Sequence, residues 1–306
     1  MGDFGLAAIN ISLPIFSLLF GFALMLAIGG SVIAGKLIGE EDIKNASIIF
    51  TKTIVCITFF SFITCSLLFL NIETVLYLFG ADENLTKIAI EYLSVIVIFI
   101  PFLMIGVVLD YFVRVDNRPN LAFIALLSSA VINVILDWFL IVYLQKGIFG
   151  AGLATGISQL ALIFILLPHF FSKKATLKFV KPIGNYIQII KALYNGASEF
   201  VNEISIGIMT LIFNYVIIKN LGVEGLAGFA VVEYLLFIGL MISFGISDSL
   251  QPIISKNFGA KKNKRIEEFL NLAFITTGLV GVVMILLIIF TPNTLANIFL
   301  EDNNYK

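Results

Sequence analysis

The sequence predicts an all-α fold: a polytopic membrane protein with eight transmembrane helices, belonging to a two-lobe, twelve-helix plan with a parallel internal repeat. Three observations predict it: an apolar composition, apolar runs of bilayer-spanning length, and a second copy of the opening segment late in the chain. Hydrophobic residues make up 59% of the 306 and charged residues 13%, with a mean hydropathy of +1.05. Soluble domains carry about 25% charged residues. Thirty phenylalanines exclude a disordered chain. The net charge is −1 and no basic stretch is interleaved with aromatics, which excludes a nucleic-acid partner.

Runs of the length needed to cross a bilayer, roughly 20 apolar residues, fall near 9–35, 48–70, 91–113, 121–144, 150–171, 193–218, 225–254 and 268–290. The first carries Pro14, the third Pro101 and the seventh Pro252. Proline is tolerated in such segments when neighbours satisfy the freed carbonyls, and it offers a bending point. Phe16, Phe20 and Met25 on the first run are candidates to touch an apolar ligand. Cys56 and Cys65 lie nine apart on the second run, on opposite faces, and read as two free apolar side chains rather than a bridge. Short connectors punctuate the runs: "KLIGEEDIKN", "FGADENL", "RVDNRPN", "QKG", "KNLGVEG" and "GAKKNKR". One connector is longer, "SKKATLKFVKPIGNYIQIIK" at 172–191, and marks the boundary between an N-terminal lobe, 1–180, and a C-terminal lobe, 181–306.

Orientation follows from the basic residues. Taken by alternate connectors, 15 of the 19 Lys and Arg fall on one side, in 36–52, 114–118, 173–191 and 256–265. Those loops are therefore cytoplasmic, in a multi-pass membrane protein. Met1 is then external, with no signal-peptide pattern before it. The repeat bears on the same point. "GLAAINISLPIF" at 5–16 and "GLAGFAVVEYLLF" at 225–237 start a register that holds without a gap at an offset of 220, pairing Lys36 with Lys256, Gly39 with Gly259 and Lys44 with Lys264. Six helices separate the copies, so both keep one orientation. The expectation is a twelve-helix whole of roughly 430 residues, of which this chain holds helices two to nine: a first lobe without its first helix and a second lobe cut after its third.

Ionisable groups inside the spans default to function, because a carboxylate at the bilayer centre costs about 2.5–3.5 kcal/mol on insertion scales. Asp137, in "AVINVILDWFLIVYL", is the clearest case, and Asn133 lies one turn before it on the same helical face. Such an acid takes up and releases a coupling ion, or it pairs with Asn133 to fix helix packing. Glu199 and Glu203 lie one turn apart in "ASEFVNEIS", and Glu233 two turns into the next run; each is a candidate contact for a cationic substrate. Asp248 among serines reads as an anchor or inner gate, Asp110 with Arg114 as a surface ion pair, and His169 beside Pro168 as interfacial. Enzyme chemistry has no foothold: HExxH, GxSxG, P-loop and CxxC patterns are all missing, and there is one histidine. The sequence predicts neither a metal centre nor a cofactor.

The passages "GLAAINISLPIF", "GGSVIAGKLIGEED", "EYL" at 91–93, "INVILDWFLI", "GIFGAGLATGISQ", "NGASEF" and "FGISDSLQPIISKNFGAKK" resemble, in order and spacing, the multidrug and toxic compound extrusion (MATE) transporters, in particular their bacterial small-multidrug exporter branch. The resemblance implies an antiporter exporting organic cations or other amphipathic drugs by alternating access, driven by H⁺ or Na⁺ and acting as a monomer. It also implies an ion-coupling set in the first lobe: Asp137, Asn133 a turn before it, Tyr92 on the preceding helix and Thr155 on the following one. A second carboxylate of that set belongs to the helix expected before Met1. Two rival readings remain open at this stage. One is a flippase of lipid-linked saccharides from the same superfamily, which the acidic rather than basic intramembrane charge disfavours. The other is a truncated gene product without transport of its own.

Overall fold

The computed structural model describes residues 2–79, 81 and 83–290, with side chains except at 2–7, 10, 84, 210, 211, 214, 215, 218, 221–235 and 288. Every regular element among them is helical: α1 (Gly2–Gly39), α2 (Ile43–Leu78), α3 (Glu83–Val115), α4 (Pro119–Asp137), α5 (Gly147–Leu166), α6 (Ile187–Gly259) and α7 (Asn263–Phe290). A π-helical turn, Trp138–Tyr143, follows α4, and a 3₁₀ turn, Leu167–Phe171, follows α5. Seven stretches are long and apolar enough to cross a membrane: Ile11–Gly39, Ile43–Leu78, Leu85–Val115, Pro119–Tyr143, Gly147–Phe171, Leu236–Gly259 and Asn263–Leu287.

The chain forms two compact units, Met1–Ile204 and Ser205–Lys306. They divide later than the boundary drawn at 180, because the first turns of α6 pack into the first unit. There α1 and α6 meet backbone to backbone. A Cβ on Gly29 would stand 1.8 Å from the Ala192 carbonyl oxygen, and one on Gly196 would stand 1.9 Å from that of Met25. The pairing of 29 with 192 and of 25 with 196 makes the two helices antiparallel at the crossing, as the alternation of loop charge requires. The expected connector "KNLGVEG" is helical instead, inside α6. Gly and Asn cost a helix about 1 kcal/mol or less apiece, and there is no proline in the run to forbid one. At 73 residues α6 is far longer than one crossing needs.

Within the first unit α3 is the axial helix, packed on α1, α2 and α5, while α4 joins mainly through α5. Small residues permit the close contacts: Ala122, Ala125 and Ser129 are the buried residues of α4, and the Ser129 hydroxyl donates to the Ser158 carbonyl at 2.8 Å. Phe123, Ile124, Leu126, Leu127, Val131, Val134 and Ile135 of α4 are exposed, an apolar face suited to lipid, while Asn133 and Asp137 are half-buried. Cys56 and Cys65 are unpaired, and Cys65 Sγ reaches the Val97 carbonyl at 3.0 Å.

The repeat is visible in the turns. After α1, the amide of Glu40 donates to Lys36 O, Glu41 to Ile38 O and Asp42 to Leu37 O. After α6, Ala260 donates to Lys256 O, Lys261 to Phe258 O and Lys262 to Asn257 O, each 220 residues on. Glu41 and Lys261 take the same left-handed conformation, φ 64° and 56°. The turn after α3 repeats this pattern around Asn117, φ 62°. Asp42 then caps α2: its carboxylate accepts from the Asn45 side chain at 2.6 Å and the Asn45 amide at 3.1 Å. The Asn45 side chain, foremost, holds the Asp42 carboxyl below its usual 3.8.

Two expectations about charged groups are corrected here. His169 is buried, and its Nε2 lies 2.6 Å from Asp116 Oδ2, whose side chain is itself wholly buried. Asp116 also accepts the amides of Thr176 and Leu177 at 3.0 Å. Asp110 and Arg114 do pair, at 2.6 Å, but with side chains only 7% and 18% exposed rather than on the surface. Both carboxylates sit in the last two turns and the exit of α3, which the bundle encloses. Asp116 is thereby the anchor of the segment 172–186. Further along, the Lys178 amide donates to Ser47 Oγ, the Val180 amide to Thr51 Oγ1, and buried Lys52 Nζ donates to Asn185 O at 2.7 Å. Phe179 fills an aromatic cluster with Phe50 and Phe170, 4.8 Å and 6.4 Å away, so the segment is a strap bound along α2.

Candidate functional site

The first unit has an open cavity of about 310 Å³ lined by Phe16, Ser17 and Phe20 of α1, Tyr92, Ile96, Ile100 and Leu103 of α3, Thr155 of α5 and Glu203 of α6. The α3 lining residues follow at intervals of four, four and three, one stripe of the helix surface. Phe16 and Phe20 form the matching i, i+4 pair on α1. Tyr92 is 8% exposed and meets the edge of Phe16, ring centres 6.4 Å apart. Gly152 lies against the Tyr92 turn, where an added Cβ would stand 3.4 Å from the Tyr92 carbonyl. Gly156 lies on the Phe99 ring, which an added Cβ would meet at 2.2 Å. The two glycines bring α5 onto α3 and so bring Thr155 to the same cavity as Tyr92.

Glu203 arrives from α6. Gly21 of α1 lies opposite it, and an added Cβ there would come within 3.4 Å of Glu203 Cβ and 3.1 Å of the Phe200 ring. Glu199, one turn earlier and half-buried, interacts electrostatically with Glu203. Among the described residues Glu203 is the one charged residue in the cavity wall, whose other described residues are apolar apart from Ser17, Tyr92 and Thr155. An anionic, aromatic-walled cavity is suited to a cation with apolar bulk.

Asn133 and Asp137 are not among the lining residues. Both are half-buried on α4, and no hydrogen bond joins them among the described residues. Asp137 is the last α-helical residue before the π turn and lies within electrostatic range of the Tyr92 phenol. Tyr92 is thus the residue common to the acid on α4 and to the cavity. Glu233 falls in the part of α6 whose side chains lie outside the described residues. Ser17, Ile96, Ile100 and Leu103 were not singled out from sequence, although the stripe they share with Tyr92 and Phe16 was there to be counted. Among the described residues no cluster of three or more His, Cys, Asp or Glu is arranged to hold a metal.

The MatE family model matches residues 1–139 and 199–305. Among curated relatives, the multidrug export protein MepA of Staphylococcus saprophyticus subsp. saprophyticus is 26% identical, over 97% of this chain and 66% of its own length. MepA of Staphylococcus haemolyticus is 24% identical over the same shares. The chain therefore spans 66% of the length of these relatives. Among solved structures, the outward-facing conformation of a multidrug resistance MATE family transporter of the MOP superfamily superposes with a TM-score of 0.92, at 20% identity, covering 98% of this chain and 67% of that one. A MATE crystal structure in the bent conformation gives 0.89 over 97% and 67%. At that identity the structures establish the fold.

Proposed function

Because this chain belongs to the MatE family, we propose that the protein is an exporter of small cationic or amphipathic molecules, a multi-pass protein of the bacterial cell membrane coupled to H⁺ or Na⁺ and working by alternating access. The observation that carries the reading is the meeting of Tyr92, Thr155 and Glu203 at one cavity, with Asp137 in electrostatic contact with Tyr92. Glu203 supplies the negative charge that draws a cation into a wall of Phe16, Phe20 and aliphatic side chains. Asp137, with Asn133 beside it on α4, is the group that gains and loses the coupling ion. A change in its charge alters the field at Tyr92 and, through Tyr92, the cavity. The acid in the wall, with no basic residue among the described lining residues, favours a cationic cargo over a lipid phosphate.

Ethidium efflux from cells without other exporters tests this. Asp137→Asn is expected to slow efflux at least tenfold at unchanged expression, and Glu203→Gln to raise the half-saturating ethidium concentration roughly tenfold, as the loss of a desolvated charge contact does. Efflux stopped by a protonophore assigns H⁺; efflux stopped only by removal of sodium assigns Na⁺. Normal efflux in Asp137→Asn overturns the coupling role, and an anionic-lipid cargo would leave ethidium efflux insensitive to both substitutions.

A further inference from the structure

The strap 172–186 has a feature that transport does not use. It carries Lys173, Lys174, Lys178 and Lys181, all exposed, and Lys191 follows at the start of α6. From 172 to 198 there is no acidic residue. Among the described residues none of these lysines forms a salt bridge, whereas Lys36 and Lys87 both do. Between and beside the lysines stand exposed apolar side chains: Phe171 is 71% exposed, Ile183 66% and Tyr186 42%. Large bare apolar groups are disfavoured in water, and a one-signed row of charges beside them sets up a field that attracts the opposite sign.

The strap is also held at a fixed height. It leaves α5 at Phe171, the last residue of a membrane-spanning stretch, and its contacts on α2 are Ser47, Thr51 and Lys52, inside a stretch that begins at Ile43. Thr51 is eight residues into that helix, or about 12 Å along its axis at 1.5 Å per residue. The lysines are therefore kept against the edge of the bundle where it enters the membrane, instead of trailing into the cytoplasm. Asp116 and His169 secure one end of the strap, and Lys52, under the Tyr186 ring at 5.1 Å, secures the other.

We propose that this strap is a docking surface for anionic phospholipid headgroups of the cytoplasmic leaflet, with Lys173, Lys174, Lys178 and Lys181 facing the phosphates and Phe171, Ile183 and Tyr186 entering the interfacial layer. A headgroup at the membrane surface meets clustered lysines with a favourable field that falls off within a Debye length. Apolar and aromatic groups prefer the same depth. The strap joins the two requirements because its backbone is fixed.

The sole tryptophan, Trp138, allows a direct test. In a Trp138→Phe background, Tyr186→Trp puts a reporter on the strap and keeps a cation–π partner for Lys52. The protein is reconstituted in phosphatidylcholine vesicles containing one-fifth phosphatidylglycerol, with bromine on the acyl chains of one lipid or the other. Brominated phosphatidylglycerol is expected to quench at least threefold more per mole than brominated phosphatidylcholine at low salt, and the preference is expected to fade by about 0.5 M salt as screening sets in. Exchanging the four strap lysines for glutamine should equalise the two lipids, and exchanging Lys261, Lys262, Lys264 and Arg265 should change nothing. Asp116→Asn, which keeps every lysine and loosens the strap, should lower the preference; Thr51→Val is the milder version should Asp116→Asn fold poorly. Equal quenching in the unsubstituted strap, or a preference that survives loss of the four lysines, overturns the proposal. A preference indifferent to both Asp116→Asn and Thr51→Val overturns the claim that the fixed backbone matters.

Discussion

Asp116 shows how much one buried carboxylate can organise. It takes the imidazole of His169, 53 residues away, and two amides of the strap. Asp116→Asn keeps the shape and loses the charge, leaving buried donors poorly matched, at a cost of about 1–3 kcal/mol. The measurement is thermal unfolding in detergent together with trypsin cleavage after Lys174 and Lys178, which should become faster than in the parent. Asp42 is a milder, solvent-exposed counterpart. Its folded pKa lies below 3.8, so its capping contribution is fully present above that value and disappears as pH falls through the lower folded value. A melting-temperature deficit in Asp42→Ala should therefore be constant from pH 7 to about pH 4.5 and vanish in stronger acid. A deficit that grew on acidification would contradict the sign.

Glycines set the closest approaches between elements. Gly156 lies on the Phe99 ring, and Gly29 and Gly196 lie on carbonyl oxygens. A ring can turn aside and a backbone cannot. Gly156→Ala should lower stability by about 1–3 kcal/mol, while Gly29→Ala or Gly196→Ala should cost more and reduce the yield of folded protein; size-exclusion profiles and melting temperatures rank the three. The helices themselves were readable from the length of the apolar runs, although α1 and α6 continue to Gly39 and Gly259, a few residues beyond the runs at 9–35 and 225–254. Three local features were not. "WFLIVY" carries no mark of the π turn it forms. "KNLGVEG" has the composition of a break, yet weak helix formers do not make one. The strap reads as a lysine-rich linker until its distant partners Ser47, Thr51, Lys52 and Asp116 are known. At the site, Tyr92 and Thr155 were recognisable from the family resemblance and Glu203 from its charge. That the three share a cavity depends on Gly21, Gly152 and Gly156, and spacing along the chain does not report how closely helices approach.

On the scale of the whole molecule, the uneven placement of basic residues and the antiparallel pairing of α1 with α6 agree on orientation. In a Cys56→Ser, Cys65→Ser background, single cysteines at Lys174 and Lys262 should react with a membrane-impermeant maleimide only in inside-out vesicles, and one at Lys146 only in intact cells. Labelling of all three from one side would refute the topology. The positions paired by the 220-residue repeat, 36–42 and 256–262, take the same turn hydrogen bond for hydrogen bond, a turn that the chain also uses after α3 at 112–118.

The crossing of α1 and α6 has a mechanical consequence. Its reciprocal glycines confine the closest contact to about one helical turn on each partner. Moving either helix lengthwise would carry each glycine out from under its carbonyl and bring side chains three or four residues along on the same face toward the opposing backbone, whereas a change of crossing angle keeps each glycine under its carbonyl. The joint behaves as a swivel with a locked register: it transmits tilt and blocks slip.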